Sequence, residues 1–459
     1  MASKKNWFVA LMDKFAGDKL VLIILLLLMM ISALCIFSST SQLPEVLRGT
    51  ASRTDVMFNH FKTIGMGLVV IMFVYFLCGV KVLRTFGRLG FITSVALLLF
   101  LASHMHLGPI AAAPINGAWR VIKIGGFQFH VFEFVKVAMV MYLAYAIETL
   151  KNGGFSFLEI IADRYPRIYF IGSETWKKII CIYCPMGIVF LLVAMGSVTS
   201  SLFIALVMFL TIWVGGLNMR ELFLIGGALA VLGVGIYGTY KLTDGAVFHR
   251  LETAESRLES FDEKVQRVLD AKPKSQEYYK ALGAIEQQYG SRIAIKEGGL
   301  FGKGAGGSSQ KYKVSVMFED FMFSFVVEEY GLFGAIVLFI LFSSLIMRGS
   351  LIARNCDETF PKVAVAGLVL LISGQAYLHM FVNTGIFPMT GQTLPLISHG
   401  RFAFLMFSAA FGIILSISKT AEKNIAKEIR DAEPLIESRP DIDAGMDDLD
   451  ALEDNLIEN

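Results

Sequence analysis

Charge is scarce in this chain. Asp, Glu, Lys and Arg make up 17% of its 459 residues while hydrophobic residues reach 55%; soluble domains carry about a quarter charged residues. That balance excludes an ordinary soluble fold. Cysteine is sparse as well: Cys35, Cys78, Cys181, Cys184 and Cys356 all fall in or beside apolar segments. An odd count with no pairs outside those segments provides no disulfide framework. Cys181 and Cys184 have the spacing of a metal or redox pair, but they lie in an apolar run with no partner pair, so core packing is their expected role. His104 and His106 lack companions for a ligand set. The glycine-rich stretch from Gly298 to Lys311 lacks the G-K-[ST] ending of a phosphate loop, and nothing suggests nucleic acid as a partner. No internal repeat is present. No cleavable leader is expected, because the first apolar run is too long for one and further runs follow it.

What the chain has instead is uninterrupted apolar sequence. A membrane span takes roughly 17–25 such residues, and Leu20 to Ser38 reads LVLIILLLLMMISALCIFS. The expected fold is an all-α integral membrane protein of ten spans. They fall near 20–38, 63–80, 89–107, 129–147, 179–195, 199–216, 222–241, 323–347, 363–382 and 402–418. The membrane domain is thus 20–418, with a cytoplasmic segment 1–19 before it and a cytoplasmic tail 419–459 after it. An external loop, 242–319, separates spans seven and eight, and Leu251 to Asp270 within it is spaced for an amphipathic helix. Lys4, Lys5, Lys14 and Lys19 precede the first span, and Lys81, Arg84 and Arg88 stand between the second and third. Lys151, Arg164, Arg167, Lys177 and Lys178 follow the fourth; Arg348, Arg354 and Lys362 follow the eighth; Lys419, Lys423 and Lys427 follow the last. With ten spans all of these share one side, which places both termini in the cytoplasm. From Asp431 to Asn459 eleven acids stand against Arg439 alone. Such a tail cannot bury a core and is expected to be disordered, a docking strip for a cytoplasmic partner.

Carboxylates at the edge of a span are expensive and mark candidate sites. Glu319 and Asp320 open the eighth span, with Glu328 and Glu329 deeper in it. From the residues alone Asp320 is equally a helix cap or a catalytic group. Glu133 and Lys136 lie i, i+3 on the fourth span, where a plain ion pair is the simpler reading. The sharper one is a cationic seat for phosphate, with Arg120 supplying a planar fork from the preceding loop. Asn383 to Phe402 (NTGIFPMTGQTLPLISHGRF) is an external turn that suits either a cavity lining or an ordinary surface connection.

Taken together these segments resemble the SEDS family (shape, elongation, division and sporulation), the FtsW/RodA group of peptidoglycan glycosyltransferases. GDKLVLIILLLLMMISALCIFSST is similar to its opening span. NGAWRVIKIGGFQFHVFEFVKVAMVMYLA resembles its NGA-x-RW … PSE-x-x-K-x-x-x-x-x-YLA segment, with Arg120, Glu133 and Lys136 on the charged positions. GGLFGKGAGGSSQK, which holds Lys303 and Lys311, resembles GGLFGxGxGxSxQK, and EDFMFSFVVEEYGLFGA resembles TDFIFAxxxEELGLxGA. MTGQTLPLIS, which holds Thr390 and Ser398, resembles VTGxTLPFxS, and its GQ form leans toward the division-type FtsW branch.

The resemblance implies a polymerase of lipid II, a disaccharide-peptide on an undecaprenyl pyrophosphate carrier. It acts at the outer face of the bacterial cytoplasmic membrane with a class B penicillin-binding protein transpeptidase and other division proteins. It places the catalytic base on Asp320. Arg120, Glu133, Lys136, Lys303, Lys311, Glu328, Glu329, Thr390 and Ser398 become candidates for the pyrophosphate or the cavity. A divalent cation, Mg or Mn, is compatible with the chemistry, but no ligand set is legible. The chain departs from the family at four places. His130, Val131 and Phe132 precede Glu133 where PS is usual, and Ser315 to Glu319 replace P-E-x-H-T. GSVTSS stands for PDLGT, and His399-Gly400-Arg401-Phe402-Ala403 stand for YGGSS. A carrier of the lipid-linked precursor and a weakly active division scaffold are the alternatives.

The charge distribution makes a direct prediction about orientation. A cysteine introduced at Lys274 should react with an impermeant thiol reagent in intact cells. Protection at Lys274 together with labelling of the acidic tail would reverse the topology.

Overall fold

A computed structural model describes residues 15–39, 52–115, 118–242, 261–314 and 317–437. The apolar runs are helices: Lys19–Ser39, Arg53–Leu77, Val80–Ala102, Val131–Lys151, Val198–Val214, Met219–Leu242, Met322–Arg354, Thr359–Thr384 and Arg401–Glu437. A further continuous helical stretch, Glu174–Gly196, contains one π-helical turn at Ile179–Tyr183. Each of the ten expected spans falls on one of these. Seven are both long and apolar enough to cross a membrane. Among the rest, Val198–Val214 is apolar but short, and Val131–Lys151 carries Glu133, Lys136, Glu148 and Lys151. The two spans that meet near 195–199 are separate helices, because Ser197 between them is extended (φ −163°, ψ 107°).

Three expectations need correction. The third helix begins at Val80, not near 89, so Lys81, Arg84 and Arg88 ride on its first turns instead of forming a loop. Long cationic side chains tolerate this because their heads reach the membrane edge. Arg84 Nε lies 2.7 Å from Glu148 Oε2, and its Nη2 lies 2.5 Å from Glu358 Oε2. Second, the fold is not wholly helical. Where the third span was expected to run on to 107, the chain turns into an antiparallel sheet, β1 (His106–Leu107), β2 (Ile110–Ile115), β3 (Ala118–Ile124) and β4 (Phe127–His130), ordered β1-β2-β3-β4. Ile124 pairs with Phe127 across Gly125-Gly126, a two-residue hairpin of the kind that needs glycine. The last helix continues to Glu437, so 419–437 is helical instead of structureless. Residues 438–459 lie outside the described residues, as do 251–260 of the expected amphipathic helix, which is present at Phe261–Asp270. A second helix, Gln276–Gly298, completes the described part of the external segment.

The Val131 helix is buried along nearly its whole length. It packs between the Val80 and Thr359 helices and takes its start directly from β4. The sheet therefore fixes Arg120 relative to Glu133 and Lys136.

The Met322 helix holds 33 residues, roughly 50 Å if straight, against a hydrocarbon core of about 30 Å. It is broken at Gly331 (φ 68°, ψ −162°), and the piece from Leu332 to Arg354 is long enough to span alone. A helix broken at membrane depth must have its freed backbone groups satisfied. The glycine-rich loop does this. Lys303 N donates to Glu328 O and Gly304 N to Glu329 O, both at 2.9 Å, while Leu332 N donates to Gly299 O at 2.9 Å. A Cβ on Gly331 would stand 2.3 Å from Leu300 O.

Replacing Gly331 with alanine should therefore cost about 1–3 kcal/mol in backbone strain, before any displacement of the loop. Thermal unfolding of detergent-purified protein should show a clear fall in Tm. Gly65→Ala, at a helical site with nothing within 4 Å, should leave Tm unchanged or raise it. Equal Tm values for Gly331→Ala and wild type would refute the clamp.

Candidate functional site

A cavity of about 550 Å³ opens where five parts of the chain converge. Its wall is made by the segment from Arg120 through the β3–β4 hairpin to Glu133 at the start of the next helix, the 196–200 helix junction, Glu319 with Asp320, Gly391 to Thr393, and His399 to Ala403. Of the sequence candidates, Asp320, Arg120 and Glu133 are brought together here.

Asp320 is not the helix cap. The helix starts at Met322, with Phe321 in the cap position and no side-chain cap bond. The Asp320 segment is held by its backbone instead. Asn383 Nδ2 donates to Asp320 O (3.1 Å), while Asn383 Oδ1 accepts from Ser324 N and Oγ (3.0 and 2.9 Å). Ser398 Oγ donates to Glu319 O (2.7 Å) and accepts from Leu394 N (2.9 Å), and His399 N donates to Phe318 O (2.9 Å). Ser398 is thus a tie behind the wall. Thr390 contributes its carbonyl, which accepts from Thr199 Oγ1 at 3.3 Å. The 383–402 turn is no surface connection: Leu394, Leu396, Ile397 and Ser398 are buried. Leu396 is held at φ 60°, a costly conformation for a branched residue. Burial, and then the charge of Asp320, push the Glu319 carboxyl up to about 7.

Lys136 lies beneath the cavity, 3% exposed. Its ammonium donates to Glu133 Oε1 (2.7 Å), Gln375 Oε1 (2.7 Å) and Gln392 Oε1 (3.0 Å). Those are all three donors that a lysine has. Lys136 therefore sets the charge of the floor and the positions of Glu133 and Gln392, which line the cavity; it does not itself point a spare donor into it. The simple ion pair is one third of its environment. Gln392 Nε2 continues to Ser200 Oγ (3.1 Å), and Gln375 Nε2 to Thr393 O (2.8 Å). His379 Nε2 accepts from Phe323 N (3.3 Å) and Nδ1 contacts Gln392 O (2.7 Å), which assigns the neutral ring with its proton on Nδ1.

Lys303, Lys311, Glu328 and Glu329 form a second cluster, away from the cavity wall. Glu328 Oε1 accepts from Lys303 Nζ (2.8 Å), Ser309 N (2.8 Å) and Ser309 Oγ (3.0 Å), and its Oε2 from Ser308 Oγ (2.5 Å). Glu329 Oε1 accepts from Ser38 Oγ (2.6 Å) and Gly306 N (3.1 Å), with Lys311 Nζ at 3.8 Å. Lys311 Nζ donates to Gly306 O at 2.9 Å. These acids anchor the loop to the helix break and to the end of the first helix.

Sequence reasoning missed Gln375, Gln392, His379 and Asn383. Polar residues inside an apolar span were the available signal, and His379 and Asn383 are spaced i, i+4. Among the described residues no group of three or more His, Cys, Asp or Glu is placed to hold a metal, so no step is assigned to a cation.

The model of a family named for FtsW, RodA and SpoVE, described as cell cycle protein, matches residues 18–423. The peptidoglycan glycosyltransferase MrdB of Escherichia coli K12 is 29% identical over 427 residues, 91% of this chain and 97% of its own. The probable peptidoglycan glycosyltransferase FtsW of Bacillus subtilis 168 is 27% identical over 399 residues, 85% and 88% of the two chains. Among solved structures, a chain described under the structural coordination of polymerization and crosslinking by a peptidoglycan synthase complex superposes with a TM-score of 0.57 at 21% identity. It covers 88% of this chain and 98% of that one. The rod shape determining protein RodA of Thermus thermophilus gives 0.53 at 18% identity, covering 89% and 98%. At those identities the two structures establish a shared fold.

Proposed function

The chain belongs to the FtsW/RodA/SpoVE family of cell cycle proteins, and from that membership we propose that it polymerises lipid II into glycan strands. The observation that carries the proposal is the position of Asp320. Asp320 stands in the wall of a cavity that also holds Arg120 and Glu133, with Lys136 paired to Glu133 beneath it.

In this reading Asp320 takes the proton from the acceptor sugar's 4-hydroxyl as that oxygen attacks the anomeric carbon of the growing strand. The bond to the lipid pyrophosphate breaks, and its charge develops beside Arg120. A positioned base contributes roughly 10²–10⁴-fold, and fixed cations stabilise the leaving group without reorganising. The positive-side charges support an outward-facing cavity with both termini in the cytoplasm of a bacterial cell. Relatives of both branches match at similar identity, 29% and 27%, so the division role rests on the Gly391-Gln392 form of the turn. A transpeptidase partner is supported by the synthase complex among the fold neighbours. The lipid-carrier and scaffold alternatives differ from this reading in the same assay: a carrier moves lipid II without making strands, and a scaffold does neither.

Asp320→Asn should fold normally, since the segment is held through its backbone carbonyl. Strand synthesis from labelled lipid II should drop by roughly two orders of magnitude or more. Glu319→Gln should keep most activity. Undiminished synthesis by Asp320→Asn would remove the base from the mechanism.

A further inference from the structure

One cation in the cavity wall has no counterpart among the described residues. Arg401 opens the helix Arg401–Glu437, whose first turn contains no acid. The start of a helix carries unpaired N–H groups and partial positive charge, so a guanidinium there is disfavoured. An acid across the cavity could offset that cost. Yet Arg401 makes no hydrogen bond, ion pair or ring contact with any described residue, although Glu133, Glu319 and Asp320 share its cavity. It is exposed and lines that cavity.

The backbone that carries it is well fixed. Phe402 is buried, with its ring 4.5 Å from Phe129 and 6.3 Å from His130. Phe404 N donates to Gly400 O at 2.9 Å. The backbone of Arg401 is therefore fixed at the wall by its neighbours, while its exposed side chain pairs with no described acid. The motif this stretch resembles has small residues where Arg401 and Phe402 stand.

We infer that Arg401 is a specificity-determining residue that receives an anionic oxygen, phosphate or carboxylate, of the substrate bound in this cavity. The planar fork of arginine suits either group. The inference rests on the proposed function only for the identity of the substrate: lipid II carries both a pyrophosphate and stem-peptide carboxylates.

The test is direct binding, which does not depend on turnover. Fluorescent lipid II is titrated into the purified full-length protein, wild type and Arg401→Gln, Arg401→Lys and Lys274→Gln. Each titration is repeated with lipid II whose stem carboxylates are amidated. Arg401→Gln should weaken binding of the unmodified lipid about tenfold or more, Arg401→Lys less, and the remote Lys274→Gln not at all. A penalty that persists with the amidated lipid assigns Arg401 to the pyrophosphate; one that disappears assigns it to the stem. Thermal stability of Arg401→Gln should equal or exceed wild type, because a cation leaves the positive end of a helix. Wild-type affinity of Arg401→Gln for both lipids would overturn the inference, and so would a marked loss of stability, which would make the residue structural. Weakened binding without strand synthesis in the wild type would instead sink the polymerase reading alone.

Discussion

A single buried ammonium organises the centre of this protein. Lys136 sits in an apolar bundle where an uncompensated charge costs at least about 2.5–3.5 kcal/mol. It can remain charged only because Glu133, Gln375 and Gln392 surround it at 2.7–3.0 Å. Those partners come from the Val131 helix, the Thr359 helix and the 383–402 turn. Meeting the needs of one ammonium thus pins the turn onto the bundle. The turn in turn holds Glu319 through Ser398 and Phe318 through His399, while Asn383 holds Asp320. The cavity's shape and its charge follow from the same set of bonds.

The second cluster serves a different purpose. Broken helices in membranes persist only when something replaces the lost hydrogen bonds. Here the glycine-rich loop supplies backbone donors to the Gly331 break, and Glu328 and Glu329 draw that loop in with both oxygens of one acid and one of the other. The break lets the short Met322–Tyr330 piece leave the line of the spanning helix. Asp320 is consequently delivered to the cavity by a segment that is free of the span's direction.

The apolar runs, the spacing of Glu133 and Lys136, and the placement of Asp320 before a span could all be read from the sequence. Each depends on local composition alone. The break at Gly331 could not, because a glycine in an apolar run is equally a packing site, and its positive φ is visible only in three dimensions. That Lys303, Lys311, Glu328 and Glu329 tie the loop to the helix break, apart from the cavity wall, was illegible for the same reason. The β-sheet left a signal in Gly125-Gly126 between alternating residues, which a search for helical periodicity passed over. Gln375 is one of several polar residues in a 26-residue helix, and its role appears only when Lys136 is placed beside it.

The central claim is that the buried charge serves the reaction and not only the fold. A buried ion pair can often be exchanged for uncharged side chains at little cost, provided both partners go together. The direct measurement is strand synthesis from labelled lipid II by a Glu133→Gln, Lys136→Met double variant, with its membrane level and thermal stability recorded alongside. The expected result is a folded protein, lowered by a few degrees at most, that makes no strands. A folded double variant with wild-type synthesis would contradict it.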